Sequence, residues 1–186
     1  MGGKSNLLDA FRFLYECWFP QAGTFGPLSA LTRRGGIEEV LWKGGVDRLV
    51  SLAVEFADTR DPKSRFKYKI ELMGGAGGYV NIQTEELAVL RAEREFPLIV
   101  RESGGRWLIN PDGQRLVTVQ SERSAMELAP PNWDGYPLKA FAQNWRYYNL
   151  VPSLMKQLNQ VGAGGVLEPQ GQNLSAWLMG RVKWFV

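Results

Sequence analysis

Between residues 49 and 72 the apolar side chains fall on every second position, a period of two that constrains the fold more than any other feature of the chain. Val50, Leu52, Val54 and Phe56 alternate with Ser51, Ala53 and Glu55, and Phe66, Tyr68, Ile70 and Leu72 alternate with Lys67, Lys69 and Glu71. Successive side chains of a strand point to opposite faces, so each run predicts a strand with one buried and one wet face, the habit of antiparallel sheets. Residues 58–63 form the polar loop between them. Further strands are expected at 79–83, 87–91, 98–101, 106–109 and 115–120. Asn110-Pro111-Asp112-Gly113 is a turn sequence, so the last two strands read as a hairpin and the centre of the chain as a meander.

The ends of the chain carry a helical period instead. Leu7, Leu8, Phe11, Leu14, Tyr15 and Trp18 make an amphipathic stripe over 5–18, which Pro20 ends. Residues 20–36 read as a loop with a short helix around 28–31, closing on Arg33-Arg34-Gly35-Gly36. Leu138, Phe141, Trp145 and Tyr148 follow a second helical stripe, Pro152 interrupts it, and a terminal helix is expected over 174–183. The clusters 74–78 and 162–165 read as connections, since the first is followed by a strand pattern rather than by the helix that a dinucleotide fingerprint needs.

Composition removes several chemistries. The chain of 186 residues has no histidine, which excludes Ser-His and Cys-His nucleophile pairs and histidine metal sites. Cys17 stands alone, so neither an internal disulfide nor a cysteine zinc site can form. A formal charge of +3 is too small to imply nucleic acid without a clustered patch. No apolar run reaches the ~18 residues of a spanning helix, and a reducing cytoplasm is the expected compartment.

One motif points to a ligand. Gly3-Lys4-Ser5-Asn6-Leu7 matches the second half of a phosphate-binding loop, G-x-x-x-x-G-K-[ST], and runs straight into the first helical stripe. In that reading Gly3 lets the backbone approach the phosphates, Lys4 reaches the β- and γ-phosphates, Ser5 holds Mg²⁺ and Asn6 contacts a phosphate from the first turn. The competing reading makes Ser5 an ordinary N-cap with Asp9 adding charge to the first turn. Trp145-Arg146-Tyr147-Tyr148 likewise admits two readings, a base-stacking platform for single strands or core packing with one exposed arginine. Glu38-Glu39 and Glu85-Glu86 read as solvated surface, because adjacent side chains diverge.

Taken together these segments carry a family resemblance. Residues 3–14, GKSNLLDAFRFL, resemble the Walker A end and following helix of the RecF/SMC/ABC-like AAA ATPases. The paired strands 49–56 and 66–72, with Glu85-Glu86-Leu87, are similar to that family's antiparallel β-subdomain. Residues 145–152, WRYYNLVP, and 167–175, LEPQGQNLS, look like its W-x-[FY]-Y-x-x-x-P and L-x-x-x-G-x-N-L-[AS] segments.

The resemblance implies an α+β fold, a partial P-loop NTPase lobe with a Walker A helix, an antiparallel meander and C-terminal helices. It implies one incomplete domain over 1–186: Walker A end and helix 1–19, loop and short helix 20–48, β-subdomain 49–128, helical segment 129–186. The strand and first glycine before Gly3 would be missing, as would the signature motif, Walker B carboxylates and switch histidine of a second half. The expected ligands are ATP and Mg²⁺ at Gly3, Lys4, Ser5 and Asn6, with Ser5 as the metal contact. Expected partners are a second ATPase half or a second copy, with DNA as a further possibility from the family's work in repair, chromosome maintenance or defence. Without Walker B acids the chain alone is expected to bind ATP rather than turn it over. The alternatives are a non-catalytic module that binds protein or single-stranded nucleic acid, and a gene remnant.

Overall fold

Six strands lie side by side in the order in which they occur along the chain: β1 (Leu49–Ala57), β2 (Ser64–Gly74), β3 (Val80–Arg91), β4 (Arg94–Glu102), β5 (Gly105–Ile109) and β6 (Arg115–Val119). Every neighbouring pair is antiparallel. This computed structural model describes residues 3–41, 49–57, 64–74, 78–102, 105–156 and 165–181. The expected loop at 58–63, and most of the glycine clusters at 74–78 and 162–165, lie outside the described residues.

The sheet corrects the expected fold class. A P-loop lobe is built on a parallel sheet, whose strands need crossovers of a dozen or more residues. Here the described strands follow one another through short hairpins, no parallel pair occurs among them, and the fold is mostly β with few helices. Two expected strands, 79–83 and 87–91, are one continuous β3. A bulge joins their two phases: Glu71 pairs with Thr84 and Leu72 with Ile82, which leaves Gln83 as the extra residue.

The chain divides into two compact units, Met1–Asn144 and Trp145–Val186. In the first, one face of the sheet is buried by Phe66, Tyr68, Ile70, Leu72, Ile82, Leu87, Val89, Leu98 and Leu108. Against this face lies α1 (Gly3–Trp18), which contributes Phe13, Leu14, Cys17 and Trp18. The Trp18 indole meets the Tyr68 ring edge-on, with centroids 5.0 Å apart. Of the predicted stripe Leu14 and Trp18 are buried, whereas Leu7 and Leu8 are 60% and 63% exposed, because only the C-terminal half of α1 reaches the core.

Next to α1 stands α2 (Gly26–Thr32), at a close backbone approach. A Cβ on Gly26 would come within 2.1 Å of the Cys17 carbonyl oxygen, so only glycine fits there. Arg34 ties the two helices together. Its guanidinium takes both carboxylate oxygens of Asp9 at 2.8 and 2.9 Å, and reaches Glu16 and the Ala30 carbonyl at 2.6 and 2.7 Å. A short α3 (Ile37–Val40) sets Ile37 against Gly74 of β2.

At the far end, the Asn110–Gly113 turn forms as expected, with Gly113 at φ 84° and its N–H bonded to the Asn110 carbonyl. Trp133 closes that side of the core, donating its indole N–H to the Ile109 carbonyl at 2.8 Å. The helix α4 (Tyr136–Gln143) ends at Asn144, so Trp145 and Tyr148 do not continue its stripe as predicted.

The second unit holds α5 (Pro152–Met155) and α6 (Leu174–Arg181). Two backbone bonds, Asn149 N–H to Pro169 and Val151 N–H to Gln170, join its two extended segments. Asn173 is buried and organises the turn before α6: its amide donates to the Val166 carbonyl and its side-chain oxygen accepts from the Glu168 N–H, both at 2.8 Å.

Candidate functional site

The four residues Gly3, Lys4, Ser5 and Asn6 make the first turn of the sixteen-residue α1. The opening N–H groups of a helix have no partner within it, and together with the helix dipole they favour an anion. No acidic residue stands in this turn. Asp9, which the N-cap reading enlists as first-turn charge, lies further along and is engaged by Arg34. Helix therefore begins at Gly3, two residues earlier than the predicted start at Ser5, and Asn6 is exposed. This donor set suits phosphate. Among the described residues no group of three or more acidic or cysteine side chains is arranged to hold a metal ion.

The acidic pairs have different fates. Glu38 and Glu39 lie exposed on α3. Glu86 is also exposed, but Glu85 is only 3% exposed, which corrects its reading as surface. The β3 bulge turns Glu85 inward to an ion pair with Arg106, itself 5% exposed. Glu85 Oε1 also accepts from the Tyr68 hydroxyl at 2.9 Å and the Ser124 hydroxyl at 2.6 Å, and Oε2 accepts from the Ala125 N–H at 2.8 Å. The other guanidinium nitrogen of Arg106 donates to the carbonyls of Gln120 and Arg123, both at 2.6 Å. Burial, with the Glu85 charge adding to it, pushes the Tyr68 phenol well above the usual tyrosine range. The same two causes raise the Cys17 thiol.

With every lone pair of this carboxylate and the arginine's carbonyl contacts in use, the cluster is a structural fastening. It pins the 3-10 helix Ala125–Leu128 to the sheet and offers no base for chemistry. A period-two reading misses it because the bulge shifts the phase by one residue; the only sequence signal is a glutamate flanked by strand patterns on both sides.

On the opposite face of the sheet a shallow hollow of about 890 Å³ is lined by Lys67, Lys69, Glu86, Ala88, Pro97 and Arg101, among others. Three of its cations are engaged: Lys67 with Glu95 and Lys69 with Glu71, both at 2.8 Å, and Arg101 with the Gln83 carbonyl at 2.6 Å. None of its lining residues belongs to α1. In the second unit, Trp145 and Tyr147 are partly buried while Arg146 and Tyr148 are exposed, on backbone that is neither helix nor strand.

Fold and site together define a mostly β chain, a six-strand antiparallel meander with few helices. Compared with known proteins, the chain matches no family model, no curated protein and no solved structure. Among the described residues no helix is long and apolar enough to cross a membrane.

Proposed function

We propose that this chain binds ATP through Gly3, Lys4, Ser5 and Asn6, does not hydrolyse it alone, and is related to the RecF/SMC/ABC-like AAA ATPases. The observation that carries this reading is the coincidence of the G-K-S-N sequence with the opening turn of α1, a turn whose N–H groups have no acceptor within the helix and which holds no acidic residue. Lys4 supplies a cation for the β- and γ-phosphates, the Gly3 backbone gives close approach, and the Ser5 hydroxyl is the protein's contact to a nucleotide-bound Mg²⁺. Hydrolysis also needs a metal carboxylate and a group to orient water, and Glu85, the most buried acid among the described residues, is held by Arg106, Tyr68 and Ser124. The setting is cytoplasmic, in an ATP-dependent system of the DNA-repair, chromosome-maintenance or defence kind.

Calorimetry of ATP–Mg²⁺ against the chain and Lys4→Ala tests the proposal. Saturable binding that the substitution abolishes supports it; a folded chain that binds no ATP overturns it. Turnover that disappears in Lys4→Ala would instead show that hydrolysis needs no further half.

A second reading, a non-catalytic docking module, is favoured by the uncovered Leu7 and Leu8 directly after the motif. It predicts partner binding that survives Lys4→Ala and, for a single-stranded nucleic acid, falls steeply with salt.

A further inference from the structure

The two edges of the sheet are protected very differently. The β6 edge is short, five residues, and carries Arg115, whose guanidinium lies over the Trp107 ring. Short edge strands bearing a positive charge are a usual defence against pairing with another chain. β1 is less protected: its single charged residue is Glu55, on the outer face. It runs nine residues as Leu-Val-Ser-Leu-Ala-Val-Glu-Phe-Ala, with no proline, lysine or arginine, and no described strand lies on its far side. Its inward row is also incompletely covered. Leu52, Val54 and Phe56 are half-buried, whereas their β2 partners Ile70, Tyr68 and Phe66 are buried.

The strand is compatible with itself. Antiparallel pairing of β1 with a second β1, centred on Ala53, keeps outward residues opposite outward ones, because positions paired about residue 53 share parity. On the outer face Ala53 then meets Ala53, and Ser51 meets Glu55, so no like charges oppose directly. On the inner face Leu52 meets Val54 and Val50 meets Phe56, two apolar contacts across the seam on each side of the two-fold axis. This isologous arrangement satisfies the edge N–H and C=O groups and covers the half-buried row.

We infer that the chain forms a two-fold symmetric homodimer by antiparallel pairing of β1 with β1, joining two sheets into one. The inference stands apart from nucleotide binding and is tested without ATP. The test is sedimentation equilibrium of the full chain over a wide micromolar concentration series, with two surface variants.

Ala53→Glu faces Lys69 within its own sheet, a favourable neighbour, but meets its own copy across the two-fold. Dimerisation at low salt should weaken roughly five- to tenfold, and added salt should recover part of the loss. Ser51→Lys faces Glu71 in its own sheet and Glu55 of the second copy, so dimerisation should be held or tightened. Circular dichroism checks that both variants keep the sheet. A chain that stays monomeric throughout, or a dimer that weakens equally in both variants or in neither, overturns the inference.

Discussion

Breaking the Glu85–Arg106 pair should be costly, and unequally so from its two ends. Glu85→Leu removes the acceptor of four donors: the Arg106 guanidinium, the Tyr68 and Ser124 hydroxyls and the Ala125 N–H. Arg106 would keep its contacts to the Gln120 and Arg123 carbonyls but lose its counter-charge. Removing one partner of a buried pair typically costs about 3–5 kcal/mol. The stranded hydroxyls add to that, about 1–3 kcal/mol for each donor left without a partner. A domain with a margin of about 5–15 kcal/mol would be close to unfolding. Arg106→Met is milder, because Tyr68, Ser124 and Ala125 still serve the carboxylate. The double variant removes the unpaired charge as well and should recover that part of the loss, while the Tyr68, Ser124 and Ala125 donors stay without the carboxylate. Urea unfolding followed by tryptophan fluorescence, which the buried Trp18 and Trp133 report, gives the three free energies at one protein concentration. We expect a coupling of at least about 2 kcal/mol between the two sites. Additive losses, within about 0.5 kcal/mol, would refute the cluster as a coupled fastening.

Alkaline pH should loosen the same region. Burial keeps the Cys17 thiol and Tyr68 phenol neutral in the folded chain, while in the unfolded chain they ionise near about 8.5 and 10. The unfolded state then binds fewer protons, so stability that is whole below these values falls as pH rises, by about 1.4 kcal/mol per pH unit for each group. Urea midpoints measured upward from neutral pH check this, and Cys17→Ala should remove the earlier part of the fall; midpoints that stay level to about pH 10 would count against it. In the second unit, Gly171→Ala combines a φ of 79° with a Cβ placed 2.9 Å from Met155 Cγ and 3.0 Å from Leu150 Cδ2. It should lose about 2–4 kcal/mol and speed amide exchange at Asn149 and Val151, whereas Gly113→Ala, with a similar φ and open space around it, should lose only about 1–2 kcal/mol.

The meander was legible because alternation survives wherever a strand is regular, and Phe66, Tyr68, Ile70 and Leu72 are the buried row that their spacing predicts. Glu85 was illegible because one extra residue, Gln83, resets the phase within β3. The first helix was legible in extent, and its buried face in part, through Leu14 and Trp18. Periodicity finds a stripe without telling which turns reach the core, and Leu7 and Leu8 stay outside it. The partial P-loop lobe implied by the family resemblance is overturned by the sheet, whose described strands are all antiparallel to their neighbours through short connections, whereas such a lobe is built on a parallel sheet. The Gly171-Gln172-Asn173-Leu174 segment was visible as a motif; its physical meaning, an Asn side chain holding two backbone groups beside a glycine with no room for a Cβ, required the structure.

The identity of strand order and chain order has a kinetic consequence. Each strand pairs with the one just made, so most contacts are local and the sheet can grow by successive hairpins, a topology that folds quickly. The carboxylate of Glu85, however, waits for Ser124 and Ala125, some forty positions later, before its set of donors is complete. Until that last segment docks, the half-built sheet carries a carboxylate short of two of its donors. Commitment to the native state is therefore expected late, when the 3-10 helix arrives, and Ser124→Ala, which removes a contact made at that step, should slow folding more than it speeds unfolding.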